Sequence, residues 1–207
     1  MQYATIEREY TVLTEVCKSK FICRLAPINS LEEGLEYVQK IKKQHADARH
    51  NCYAIVGTPE SNELKYSDDG EPSGTAGVPM MGALQKNGLY GVACVVTRYF
   101  GGIKLGAGRL AQTYLKSVVD TIESAEIIDK KLSSVLEIEL NYGEYKVFNN
   151  ILSAIEHEIL DTEYGLNVKV SIATPIANEG KVKDKIVELT QGRLPTIKDK
   201  KYITYKR

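Results

Sequence analysis

Neither charge is in excess in this 207-residue sequence, where 27 basic side chains face 27 acidic ones. A strongly basic nucleic-acid protein is not indicated, so any binding to RNA must use a local patch. Charge is not segregated either. Residues 1–130 carry 15 basic and 16 acidic side chains, and residues 131–207 carry 12 and 11. Cysteine is sparse, and Cys17, Cys23, Cys52 and Cys94 show no CxxC spacing. That spacing does not support structural zinc, and three of the four fall in apolar, strand-like runs, as reduced core thiols do. There are three histidines, His45, His50 and His157. They leave few bases for a serine or cysteine nucleophile. No apolar run is long enough to cross a bilayer. Met1–Tyr10 is polar and reads as no signal peptide. Low-complexity segments and internal repeats are also missing. These absences lead to the expectation of a cytoplasmic protein without a membrane partner.

What is present centres on Thr97-Arg98-Tyr99-Phe100-Gly101-Gly102-Ile103-Lys104-Leu105-Gly106-Ala107-Gly108-Arg109-Leu110. A β-branched run, residues 90–96, precedes it and reads as a buried strand. After it, Leu110, Tyr114, Val118 and Ile122 recur with the spacing of one helix face, widened by Leu115 and Val119. No Ser, Thr, Asp or Asn stands between Gly101 and Gly108 to cap that helix. Its first turn would carry free N–H groups and partial positive charge, with Arg98, Lys104 and Arg109 nearby. An anion fits such a turn. Glycines at a strand-to-helix turn also serve packing alone, and neither the Rossmann nor the phosphate-loop pattern is present.

Along the chain, residues 3–16 read as one or two strands, Lys18-Ser19-Lys20 as a turn, and residues 21–28 as a strand. A helix follows, capped at Asn29 or Ser30, where Ser30 and Glu33 form a capping-box pattern. Strands are expected at 50–56 and 64–67. The Gly- and Pro-bearing loop Asp68-Asp69-Gly70-Glu71-Pro72-Ser73-Gly74-Thr75-Ala76-Gly77 then leads into a helix, with Thr75 as N-cap. The long helix ends near Ala125, residues 126–129 suggest a short strand, and Lys130-Lys131 is the expected linker. Beyond it come a strand at 135–140, a helix at 145–156, strands at 159–164 and 167–173, a helix capped by Asn178, and a last strand at 194–205. The order β-α-β-β-α-β is that of a ferredoxin-like domain.

The two glycine-rich stretches taken together, with His50-Asn51-Cys52-Tyr53-Ala54 before them, resemble the signature of the YigZ/IMPACT family. The resemblance is strong over residues 1–130, and the remainder looks like the smaller C-terminal domain of the bacterial branch. It implies an α+β protein. The first domain, 1–130, would share the fold of a ribosomal small-subunit protein's second domain and of elongation factor G domain IV. The second, 131–207, would be ferredoxin-like. It also implies a regulator of translation, since eukaryotic relatives act in the amino-acid-starvation response by competing for a protein that activates a kinase. The family supplies no catalytic residues and no cofactor to carry over.

Asp68, Asp69 and Glu71 could hold a divalent cation with His50, or could form an acidic turn bonded to local backbone. Ser73, Thr75 and Cys52 are the candidate nucleophiles, and none has a recognisable base beside it. The C-terminal Lys198, Lys200, Lys201, Lys206 and Arg207 read as a solvated edge, or with Tyr202 and Tyr205 as a stacking surface for single-stranded bases. The reading is a protein that binds RNA, the ribosome or a translation factor. Its anion-binding residues are expected to be Ser73, Gly74, Thr75, Gly77, Arg98, Gly101, Gly102, Lys104, Gly106, Gly108 and Arg109, with no metal and no catalytic set. A metal-assisted hydrolase using the acidic loop and a protein-interaction module are the alternatives.

Overall fold

The computed structural model describes residues 2–205. They form two compact units, one spanning Tyr3–Ile128 and the other Asp129 onward together with Gln2. The architecture is α+β, with antiparallel sheets and five α-helices.

The first unit contains most of β1 (Gln2–Ile6), then β2 (Tyr10–Val16), β3 (Ser19–Pro27), α1 (Leu31–Gln44), β4 (His50–Val56), β5 (Leu64–Ser67), α2 (Gly77–Lys86), β6 (Val92–Tyr99) and α3 (Ala107–Ser124). Its main sheet has the order β2-β3-β6-β4-β5, with every pair antiparallel. β6 is apolar on both sides because both of its faces are covered. Val92, Cys94 and Val96 pack with Phe21, Cys23, Met80, Leu84, Leu110 and Tyr114 on the face of α2 and α3. Ala93 and Val95 pack with Val38, Ile41 and Ile55 on the face of α1. A strand with two buried faces reads as an unbroken apolar run, which is how its sequence reads.

Two local expectations shift by a residue or two. The turn read at Lys18-Ser19-Lys20 is a two-residue hairpin at Cys17 and Lys18, whose φ values are +49° and +63°. Positive φ at both central residues matches the twist of the flanking strands, so Ser19 already pairs with Val16. Ser30 does cap α1, accepting from the Glu33 N–H at 3.1 Å, but Glu33 reaches back to the Asn29 N–H rather than to that of Ser30.

The second unit holds most of β7 (Ile127–Leu140), then α4 (Tyr142–Leu152), β8 (Glu158–Tyr164), β9 (Val168–Pro175), α5 (Glu179–Thr190) and β10 (Thr196–Thr204). β9 lies between β7 and β8, and β10 pairs the other edge of β7, all antiparallel. Leu136, Ile138 and Leu140 meet Phe148, Leu152, Val182 and Ile186 in one core. Lys130-Lys131 is not a linker. It lies inside β7, opposite Thr204 and Ile203 of β10. Lys131 is held there by an ion pair to Glu156 and by the Tyr205 ring. α4 starts three residues earlier than the periodicity suggests, because Asn141 and Glu144 close a capping box.

Candidate functional site

β6 delivers Arg98 to the end of the central strand, and the segment after it returns as α3. The turn between them is tight. A Cβ on Gly101 would collide with the Lys18 carbonyl group, so only glycine lets the two backbones pass. Gly106 is the N-cap of α3 at φ +76° and ψ 156°, a conformation suited to glycine, and no side chain caps the helix. The N–H groups of Ala107, Gly108 and Arg109 therefore have no intrahelical partner, and no acidic residue stands in the first turn.

This helix end opens on a cleft of about 440 Å³, whose lining includes Arg49, His50, Glu71, Arg98, Phe100, Lys104, Leu105 and Gly106. The two glycine-rich stretches meet here, since Glu71 and Pro72 of the first line the same cleft as Lys104–Ala107 of the second. At its base sits a buried cluster. Glu71 Oε1 accepts from the Arg98 guanidinium at 2.6 Å and from the Tyr114 hydroxyl at 2.9 Å. Glu71 Oε2 is 3.9 Å from His50 Nε2. The other ring nitrogen, Nδ1, donates to the Asp69 carbonyl at 2.9 Å, which fixes the proton on that side when the ring is neutral. Arg98 also lies over the rings of Phe21 and Phe100, at 5.3 and 5.6 Å. It is 6% exposed, and its Nε has no hydrogen-bond partner. Arg49, Lys104 and Arg98 outnumber the single carboxylate, so the cleft is electropositive.

The acidic loop does different work. The Asp68 carboxylate accepts the N–H groups of Gly74, Ala76 and Gly77 at 2.8–2.9 Å. Burial pushes its pKa up, but these three donors outweigh that and hold it below the ordinary carboxylate range. The N-terminus of α2 is thus closed by the chain's own carboxylate and is not open to an external anion. Thr75 is not its cap. The N-cap is Ala76, and the Thr75 hydroxyl donates to the Pro72 carbonyl. Asp69 binds Lys42 and the Asn51 N–H. With Glu71 held by Arg98 and Tyr114, each carboxylate of the loop already has a structural partner. Among the described residues no three His, Cys, Asp or Glu side chains converge as a metal site. Burial pushes the Cys52 thiol up to about 12, which disfavours the thiolate that a nucleophile needs. Its sulfur lies 2.9 Å from the Asp68 carbonyl oxygen and 3.3 Å from the Tyr114 hydroxyl.

Comparison with known proteins places these motifs in a family. Residues 17–122 match the Impact N-terminal domain, and residues 138–193 match a domain of unknown function, DUF1949. The IMPACT family member YvyE of Bacillus subtilis is 38% identical over 92% of this chain and 88% of its own length. The chain belongs to the IMPACT family. YigZ of Escherichia coli, another family member, is 33% identical over 89% of this chain and 91% of its own. A crystal structure titled as that of a hypothetical protein aligns with a TM-score of 0.65 at 31% identity, covering 96% of this chain and 98% of the other.

In this IMPACT-family chain the remaining expected site residues fall in different places. Lys104, Gly106 and Arg98 line the cleft. Gly108 and Arg109 are exposed on the first turn of α3, and Gly102 is exposed in the loop before it. The Gly101 N–H is taken by the Ser19 hydroxyl. Ser73 is exposed in the first loop, outside the cleft lining. Sequence reasoning missed Arg49, which ends the irregular stretch between α1 and β4 one position before the His50–Ala54 motif, and Glu71 as the internal partner of Arg98. It also left the C-terminal tyrosines open as stacking groups. Tyr205 is buried with its hydroxyl 2.7 Å from that of Ser133, so it presents no face to a base. Lys198, Lys200 and Lys201 lie on β10, Lys198 paired with Glu137. Lys206 and Arg207 lie outside the described residues.

Proposed function

We propose that the cleft binds phosphate groups of RNA and that the chain is an RNA- or ribosome-associated regulator of translation. The observation that carries this reading is the uncapped N-terminus of α3 opening on a cleft that holds Arg49, Lys104 and Arg98. Free N–H groups at a helix start and clustered cations are what a phosphate needs. The element order of the second unit, with β9 between β7 and β8 and β10 outside β7, agrees with a ferredoxin-like domain. That analogy, and the one to elongation factor G domain IV for the first unit, supports a translational setting by fold alone.

The test is RNA binding as a function of salt. Arg49→Ala with Lys104→Ala should weaken binding and reduce the salt slope by about one unit for each phosphate that is no longer neutralised. Folding stability should change by about 1 kcal/mol at most if these cations make no structural ion pair. A folded double variant with wild-type affinity and slope would put a protein partner in place of RNA. Recovery of the wild-type chain's partners from lysate, with and without ribonuclease, gives the same decision independently.

A further inference from the structure

The cleft pairs its cations with an apolar wall that a bare phosphate would not use. Phe100 is 42% exposed although it lines the cleft, and Leu105, Ala107 and Leu110 line it with Phe100. The Arg98 guanidinium carbon stands 5.6 Å from the Phe100 ring centroid, so a cation and an aromatic face are presented side by side. Arg98 is buried and lines the cleft, with its Nε enclosed and without a hydrogen-bond partner. The uncapped α3 N-terminus supplies the open donors.

We propose that the cleft takes one unpaired nucleotide of single-stranded RNA, with its phosphate at the α3 N-terminus and its base against Phe100. This rests on the RNA reading above and narrows it. A nucleotide carries an anion and a flat π-face separated by one sugar, which matches a helix end and a ring set in the same cleft. In a duplex the faces of the bases are covered by their neighbours, so only an unpaired base can stack on a side chain. Inorganic phosphate would satisfy the polar half of the site alone.

Titration with a short labelled oligoribonucleotide, the same sequence as a duplex, and inorganic phosphate as competitor tests this. The single strand should bind more tightly than the duplex, and phosphate should compete weakly. Phe100→Leu keeps an apolar side chain but removes the π-face, and should lose about ten-fold in single-strand affinity. Its salt slope should be unchanged, because every phosphate keeps its cation. Phe100→Tyr should retain binding, which a merely structural role for the ring would not separate from Phe100→Leu if both variants melt like the wild type. RNA binding that depends on Arg49 and Lys104 but is the same for Phe100→Leu, or equal binding of duplex and single strand, overturns this inference alone. Absence of binding to either RNA overturns the phosphate reading as well.

Discussion

The Glu71 side chain is only 4% exposed, and Arg98, at 7%, is its charged partner. Each ion is tolerable in that position because the other is there, with Tyr114 taking part of the same oxygen. Removing one member of such a pair leaves the other buried and uncompensated. Glu71→Ala should therefore lower the unfolding free energy by about 3–5 kcal/mol, read from the shift of a urea midpoint. A loss near zero would mean that the pair is solvated in solution. The pairing shows why this part of the site was only half legible. Arg98 was visible as a cation at the end of an apolar strand. Its partner stands 27 positions earlier in the chain, in a loop whose acidic residues look alike by type. Spacing along a chain carries no information about which of three neighbouring carboxylates turns inward.

At the scale of the element, α2 makes the same point about caps. Its position was readable from apolar spacing and from Gly and Pro at its start. Its cap was not, because the rules for capping look at the N-cap residue itself, here an alanine. Asp68, eight positions before Ala76, supplies the acceptor from the end of β5. Asp68→Ala should cost about 2 kcal/mol at pH 7, since it strips three donors of a charged acceptor. The sign with pH follows from the depressed carboxyl. In the folded chain Asp68 holds its proton less readily than in the unfolded chain, so its contribution is complete above the ordinary carboxylate value of about 4. It is lost as pH falls through the lower folded value. The difference between wild type and Asp68→Ala in thermal melts should thus be constant from neutral pH to about 5 and shrink below about 4. A gap that persists undiminished at acid pH would assign the effect to packing instead of charge.

For the whole molecule, two units were legible from the change of pattern near residue 130, and the elements were read in the right order, except that the strands expected at 126–129 and 135–140 are one strand, β7. A linker was expected at Lys130-Lys131 because a new apolar pattern starts just beyond it, at Ser133. Strand pairing decided otherwise, for β7 carries its ladder through both residues. Native-state trypsin digestion distinguishes the two pictures. Cleavage needs a segment that can leave the fold locally, and paired strand interiors cannot. The first cut should follow Lys104, which is exposed in the irregular segment between β6 and α3. Positions 130 and 131 should resist until the unit unfolds. Early release of a fragment ending at residue 130 or 131 would show that β7 opens there.

The contrast between the two glycine-bearing helix starts has a spectroscopic consequence. In heavy water the amide protons of Gly74, Ala76 and Gly77 are shielded by Asp68 and can exchange only when that loop opens. Those of Ala107, Gly108 and Arg109 have no such acceptor and should exchange orders of magnitude faster. A ligand seated at α3 would slow these three and leave the Asp68 set untouched. The protein thus carries its own occupancy gauge, three consecutive amide resonances read against three others in the same spectrum.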